Sequence, residues 1–214
     1  MQGLEKVLAI ELDLSIKHVN ECDWKNKEFY ADYVAQTFYY VRHSTRLLAL
    51  CASRLNYEQE QQLHLRFIKH LGEESNHEKL ALNDLKHLGY SIDDFKEHNT
   101  TRIFYEPQYY KIEHEKPLAL MGYVLYLEAL AKYVCPPLTQ IITELHGNRT
   151  ASFLQVHGEE DPAHVEQALK MIMSLDDANL AIIEKNIIQS SYAYNQMISE
   201  LKIKWNNAHY KKSA

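Results

Sequence analysis

Residues 118–131 read Leu118-Ala-Leu-Met-Gly-Tyr-Val-Leu-Tyr-Leu-Glu-Ala-Leu-Ala131, and Glu128 is the only acidic or basic side chain among them. A stretch apolar on every side belongs inside a helical bundle rather than on its surface. A carboxylate carried into that interior needs a partner, because desolvating it alone is costly. A metal ion would supply one, and an i,i+4 bridge to Lys132 is the plainer alternative. Pro117 suits the first turn of this helix, and Pro136-Pro137 is expected to stop or bend it just after Cys135. As an apolar run interrupted by Glu128, the stretch is too short to span a bilayer.

Working outward, helical periodicity extends from Leu4 to about Asn20, and Cys22-Asp23-Trp24 reads as a break. A second helix is expected from about Asn26 to Leu55, with Phe29, Tyr33, Gln36, Tyr40 and Leu47 at helical spacing. A third runs from Glu58 to Leu88 and ends at Gly89, with Gly72 as its kink or junction. Residues 90–116 read as one short helical turn plus a connection. Helical patterning resumes through Leu145, then from about Ala151 to Leu175, and again from about Asp176 to His209. Six Gly and five Pro in 214 residues cannot punctuate many strands, so the fold class is all-α. No linker or low-complexity tract divides residues 1–214, which read as a single domain.

Composition narrows the function. With 23 Lys plus Arg against 29 acids, the formal charge is −6. No basic surplus is left to neutralise phosphates, so neither nucleic acid nor an anionic membrane is an expected partner. Cys22, Cys51 and Cys135 are an odd, widely spaced set that points to reduced thiols and a cytoplasmic location, and no signal peptide is visible. Twelve His and 15 Tyr suit a chain that holds a metal or moves protons.

The histidines are patterned. His70-x3-Glu74-x2-His77 and His157-x3-Asp161-x2-His164 repeat one spacing, which gathers three side chains on one face of a regular helix. The composition predicts roughly 0.09 such segments by chance, so two of them disfavour coincidence. Imidazole nitrogens and carboxylate oxygens together suit a redox-active first-row metal, and one helix face can deliver several ligands. The plainer reading is a solvated face of acid and His pairs.

Glu74-x2-His77, then Glu128 on an apolar helix, then His157-x3-Asp161-x2-His164 resembles the ligand set of the heme-oxygenase-like diiron oxidases. These are iron-containing redox enzymes that share a fold with heme oxygenase, thiaminase II and pyrroloquinoline-quinone synthase. The resemblance covers about Asn26 to His209, and the run from His77 to Gly89 is also similar to that family. Its most specific element is the triple His157, Asp161 and His164. The family's acid-to-His spacing on the first ligand helix varies, so Glu73, Glu74 and His70 compete for one place, with Glu74 preferred on a regular helix. Asp161-Pro162 reads either as part of a continuous ligand helix or as the N-cap and N1 of a new one.

The resemblance implies a heme oxygenase-like bundle of about seven helices, assembled as a homodimer. It implies two Fe(II), or Mn in the same ligands, with Glu74, His77 and His157 on one ion, Asp161 and His164 on the other, and Glu128 bridging the two or completing the second site. Its members activate O2 to oxidise a small molecule such as an amine, amino acid or fatty acid. Tyr33, Gln36, Tyr40 and His43 are the pocket candidates. Two other classes stand beside this one. The first is a non-catalytic or metal-binding protein of the same fold. The second is a thiaminase II-like hydrolase, whose Cys nucleophile precedes a Tyr-x-Glu by four residues. Here Tyr126-Leu-Glu128 puts Gly122 at that place. Heme oxygenase itself needs a proximal His near the start of its first helix, and His18 falls late.

Overall fold

The computed structural model describes the backbone of residues 2–212 and the side chains of residues 3–159 and 164–206. Among the described residues there are nine α-helices and no strand: α1 (Gln2–Asn20), α2 (Lys27–Val41), α3 (Ser44–Arg54), α4 (Gln61–Glu73), α5 (Glu78–His87), α6 (Asn99–Tyr110), α7 (Leu120–His146), α8 (Ser152–Ile172) and α9 (Asp177–Lys212). The all-α expectation holds.

The central helix is α7, which packs against α8, α9 and α1. It does not end at Pro136-Pro137 but continues to His146, where Gly147 (φ 104°) terminates it. Each proline removes one backbone donor, and packing compensates. A Cβ on Gly158 of α8 would lie 3.4 Å from both Cys135 Cβ and Pro136 Cγ, so these two helices approach closely at this point. By length and composition Pro117–His146 could cross a membrane, yet 72% of its most apolar window is buried inside the protein. Its apolarity is accounted for by the bundle core.

Three boundaries differ from the sequence reading. The segment 26–55 is two helices, parted at Arg42-His43, because α3 begins afresh at Ser44. The segment 58–88 does not break at Gly72 but at residues 74–77, where Asn76 adopts φ 75°. Asn is one of the few residues that tolerates this left-handed conformation. Residues 99–110 form the full helix α6, with Pro107 inside it, instead of a single turn. Two divisions and the addition of α6, set against the unbroken α7, turn the expected seven or so helices into nine.

Polar contacts fix the helices that frame the interior. Asp84 of α5, fully buried, accepts the backbone N–H groups of Ser152 and Phe153 at 2.8 and 2.9 Å. It thereby satisfies donors left open at the start of α8 and ties that helix to α5. Gln36 Oε1 accepts from His98 N at 2.9 Å and from Thr101 Oγ1 at 2.7 Å, which anchors the start of α6 on α2.

Candidate metal centre

Three helices and one turn bring histidines and carboxylates together. His70 lies near the end of α4, and Glu74 is the residue that terminates that helix. The chain turns at Asn76, so that His77 immediately precedes α5. Glu128 comes from the middle of α7, and His157 and His164 come from α8. His70 and Glu128 are each only 4% exposed.

The ligating atoms fall into two groups, Glu74 with His77 and His157, and His70 with Glu128 and His164. Within each group they lie within 4.8 Å of one another. In the first, His77 Nδ1 is 3.5 Å from Glu74 Oε2, and the His77 and His157 rings are 5.0 Å apart. In the second, His70 Nε2 is 3.1 Å and His164 Nδ1 3.7 Å from the same oxygen, Glu128 Oε1. His70 Nε2 also lies 3.4 Å from Glu74 Oε1, so the groups are contiguous.

The donor chemistry fits a divalent ion. His70 Nε2 has two carboxylate oxygens near it yet forms no hydrogen bond, as expected of atoms directed at a shared point rather than at each other. Burial raises the pKa of Glu74, but the adjacent His70 and His77 rings and the nearby His157 outweigh it and hold the carboxyl well below its usual range. His157 Nδ1 lies 2.9 Å from the Phe153 carbonyl, which can only accept, so that nitrogen carries the proton and Nε2 keeps its lone pair. A backbone carbonyl in this role fixes the tautomer a ligating His needs.

The sequence candidates divide accordingly. Glu74, His77 and His157 meet as expected, and so do Glu128 and His164. The side chain of Asp161 lies outside the described residues. The backbone of α8 is continuous through Pro162, so Asp161 is not the N-cap of a new helix. The regular helix assumed across residues 70–77 is absent. His70, treated as one of several competitors for a single place, instead faces Glu128 on α7. Glu73 is not turned away: its Oε2 lies 3.6 Å from His164 Nε2, and its other oxygen pairs with Lys69 at 2.9 Å. The signal for His70 was available, since it is the first member of the same spacing that begins with His157.

A cavity opens beside the two groups, with about 810 Å³ of empty space counting its mouth. His70, Glu74, Glu128 and His157 form part of its wall, and the remainder is mainly aliphatic side chains and the phenols of Tyr33, Tyr40, Tyr123 and Tyr194. Tyr123 is 3% exposed, and its hydroxyl has no hydrogen-bond partner among the described residues. Burial, and then the charge of Glu74, hold that phenol far above its usual pKa. Tyr33 and Tyr40 thus line the cavity as expected, whereas Gln36 and His43 do not. Gln36 is committed to Asp32 and the start of α6, and His43 stacks on Tyr105 at 4.0 Å. Cys135, beside the proline pair, also faces the cavity.

Residues 31–193 match a protein family described as iron-containing redox enzymes, a span that includes every residue of both groups. Among solved structures, the chain is similar to a domain of unknown function with a heme oxygenase-like fold from Shewanella denitrificans. The TM-score is 0.82 at 20% identity, over 98% of this chain and 94% of that one. It is also similar to a TenA homolog from Pseudomonas syringae pv. tomato, with a TM-score of 0.76 at 12% identity over 93% and 92% of the two chains. At these identities the likeness establishes a shared fold. No curated protein matches the sequence significantly.

Proposed function

The chain belongs to the iron-containing redox enzyme family, and from that premise we propose that it is a non-heme diiron oxidase or oxygenase. Its substrate is a small organic molecule, such as an amine, amino acid or fatty acid, held in the cavity beside the metal. The observation that carries this reading is the contiguity of the two His and carboxylate groups through His70. Glu74, His77 and His157 would hold one ion, and His70, Glu128 and His164 the other, with Asp161 retained as a further candidate for the second. When bound, two Fe(II) would supply the electrons that reduce O2, and Mn would accept the same donors.

The chain's own residues do the rest. Glu74 stays ionised at neutral pH and offers negative charge to the site. The Phe153 carbonyl holds His157 with its lone pair available. The mainly aliphatic wall makes the space beside the two groups apolar, and closing it over a bound substrate would strengthen polar interactions inside it. Tyr123 presents a neutral hydroxyl that can donate to a polar atom of the substrate. Leaving that hydroxyl buried and unsatisfied costs about 1–3 kcal/mol, a burden more readily explained by a bound ligand than by folding.

Anaerobic titration with Fe(II), followed by rapid mixing with O2, tests the proposal. Binding of about two Fe(II) per chain and consumption of O2 on mixing are expected. Binding of less than one ion per chain, or full loading with no O2 consumed, would overturn it.

A further inference from the structure

A second concavity lies between α6 and α9, with about 690 Å³ of empty space counting its opening. Its walls are Ile103, Phe104, Pro107, Ile188, Tyr192 and Ala193, and its polar residues are Gln108, Lys111 and Gln189. Among the described residues no acidic side chain lines it. Ile103, Ile188 and Tyr192 are exposed, whereas Gln108 and Lys111 are buried, Lys111 to 7% exposure.

Each of these two residues carries a donor for which no acceptor is found among the described residues. Asn186 Nδ2 donates to the Ala119 carbonyl at 2.7 Å, which identifies that atom as the amide nitrogen. Its second contact, 2.8 Å to Gln108, must therefore reach the Gln108 oxygen. Gln108 Oε1 is thus committed, and its Nε2 meets no acceptor among the described residues. Lys111 Nζ likewise makes no hydrogen bond or ion pair among the described residues. Burial lowers the pKa of this amine; the charge of Glu115 opposes the shift and that of Lys185 adds to it. Residues 108 and 111 are one turn apart, where the chain passes from α6 into a wider π turn over Lys111–Glu115, so their side chains neighbour each other on one face.

We propose that the α6–α9 groove is a binding site for a small amphipathic monocarboxylate, its oxygens taken by Gln108 Nε2 and Lys111 Nζ and its apolar tail laid along Ile103, Pro107 and Ile188. A carboxylate supplies the two acceptors that these donors lack and the negative charge that the buried ammonium lacks. An alcohol or amine of the same tail supplies neither. The site is separate from the metal centre, but one ring divides them. Phe104, in the groove wall, packs at 5.1 Å on Tyr40 and 5.0 Å on Tyr123, both of which line the metal-side cavity.

Octanoate, followed by isothermal titration and ligand-observed NMR, is a suitable probe. The wild-type chain should bind it saturably, and octanol about tenfold or more weakly. Lys111→Met keeps the volume and removes a lone buried charge, so it should fold at least as stably while losing about tenfold or more in octanoate affinity. Gln108→Glu keeps the acceptor for Asn186 but places a carboxylate against the ligand and beside Lys111, and it should abolish binding. Leu47→Trp, which fills the metal-side cavity instead, should leave octanoate binding in place. The proposal fails if the wild type does not bind octanoate at millimolar concentration. It also fails if both groove variants bind normally, or if Leu47→Trp is the substitution that removes binding.

Discussion

His70 on α4 and Glu128 on α7 meet with Nε2 and Oε1 3.1 Å apart inside the bundle. Each lies on a helix that the other's sequence neighbourhood does not specify, and each is almost wholly buried. The contact joins the two groups of candidate ligands, because the same His70 nitrogen also approaches Glu74. If it is part of the metal site, His70→Ala should lower bound Fe(II) from about two ions per chain to about one, as Glu128→Ala should. Circular dichroism would check that both variants remain folded. Retention of both ions by His70→Ala would reduce the residue to a packing role.

Glu73 stands behind His164 as Glu128 stands in front of it. Its Oε2 is 3.6 Å from His164 Nε2, while Lys69 and Arg66 hold the carboxylate from the other side. A carboxylate at the outer nitrogen of a ligating His orients the ring and raises its basicity. Glu73→Gln should therefore weaken metal binding by about tenfold to hundredfold without lowering the number of ions bound at saturation. A competition titration against a chromophoric chelator separates the two quantities. Unchanged affinity would mean that Glu73 serves only its bridges to Lys69 and Arg66.

How far the site was legible follows from which interactions are local. The spacing from His157 to His164 survives because α8 is continuous, and Glu128 was visible as a lone acid in an apolar helix. The break after Glu74 was not visible, since Ser75-Asn76 also occurs within helices and Gly72 looked the better breaker. The break at residues 74–77 rather than at Gly72 sets Glu73 beside His164 and His70 beside Glu128. The α7 proline pair misled in the opposite sense, because close packing on Gly158 is a tertiary fact. Gln36 shared the helical spacing of Tyr33 and Tyr40 but not their surroundings, its amide being committed to α6.

His43 provides a test by pH that does not depend on metal. Burial, with Arg42 and Arg46 nearby, pulls its pKa from 6.5 to about 4. Its ring stacks on Tyr105 and its Nδ1 lies 2.8 Å from the Tyr109 hydroxyl. The unfolded chain takes up this proton near pH 6.5 and the folded chain only near 4, so between those values the unfolded state binds more protons. Stability from this group is present above the window and is lost as pH falls through it. His43→Phe, which keeps an aromatic ring against Tyr105, should flatten that part of the curve relative to wild type. Urea midpoints taken above and below the window would show it, and parallel curves for the two proteins would exclude His43 as the source.

Gly122 carries the last prediction, because it bears on both the fold and the chemistry. In the thiaminase II-like reading this position would hold a nucleophilic Cys, but here α9 crosses α7 directly over it. A Cβ on Gly122 would overlap the Ile183 carbonyl and lie 3.0 Å from Asn186 Cβ and 3.1 Å from Ile187 N. Two of these three atoms are backbone and cannot rotate away, so relief requires the helices to part. Parting them would also strain the Asn186 contact to the Ala119 carbonyl, 2.7 Å long at the start of α7. Overpacking of this kind costs about 1–3 kcal/mol, and more where backbone must move. For a chain of this size each kcal/mol corresponds to roughly 2–4 °C in melting temperature. Gly122→Ala should therefore melt several degrees below wild type, and Gly122→Cys lower still, with no hydrolysis of aminopyrimidines gained. A Gly122→Ala variant that melts with the wild type would show that α7 and α9 are not in fixed contact there.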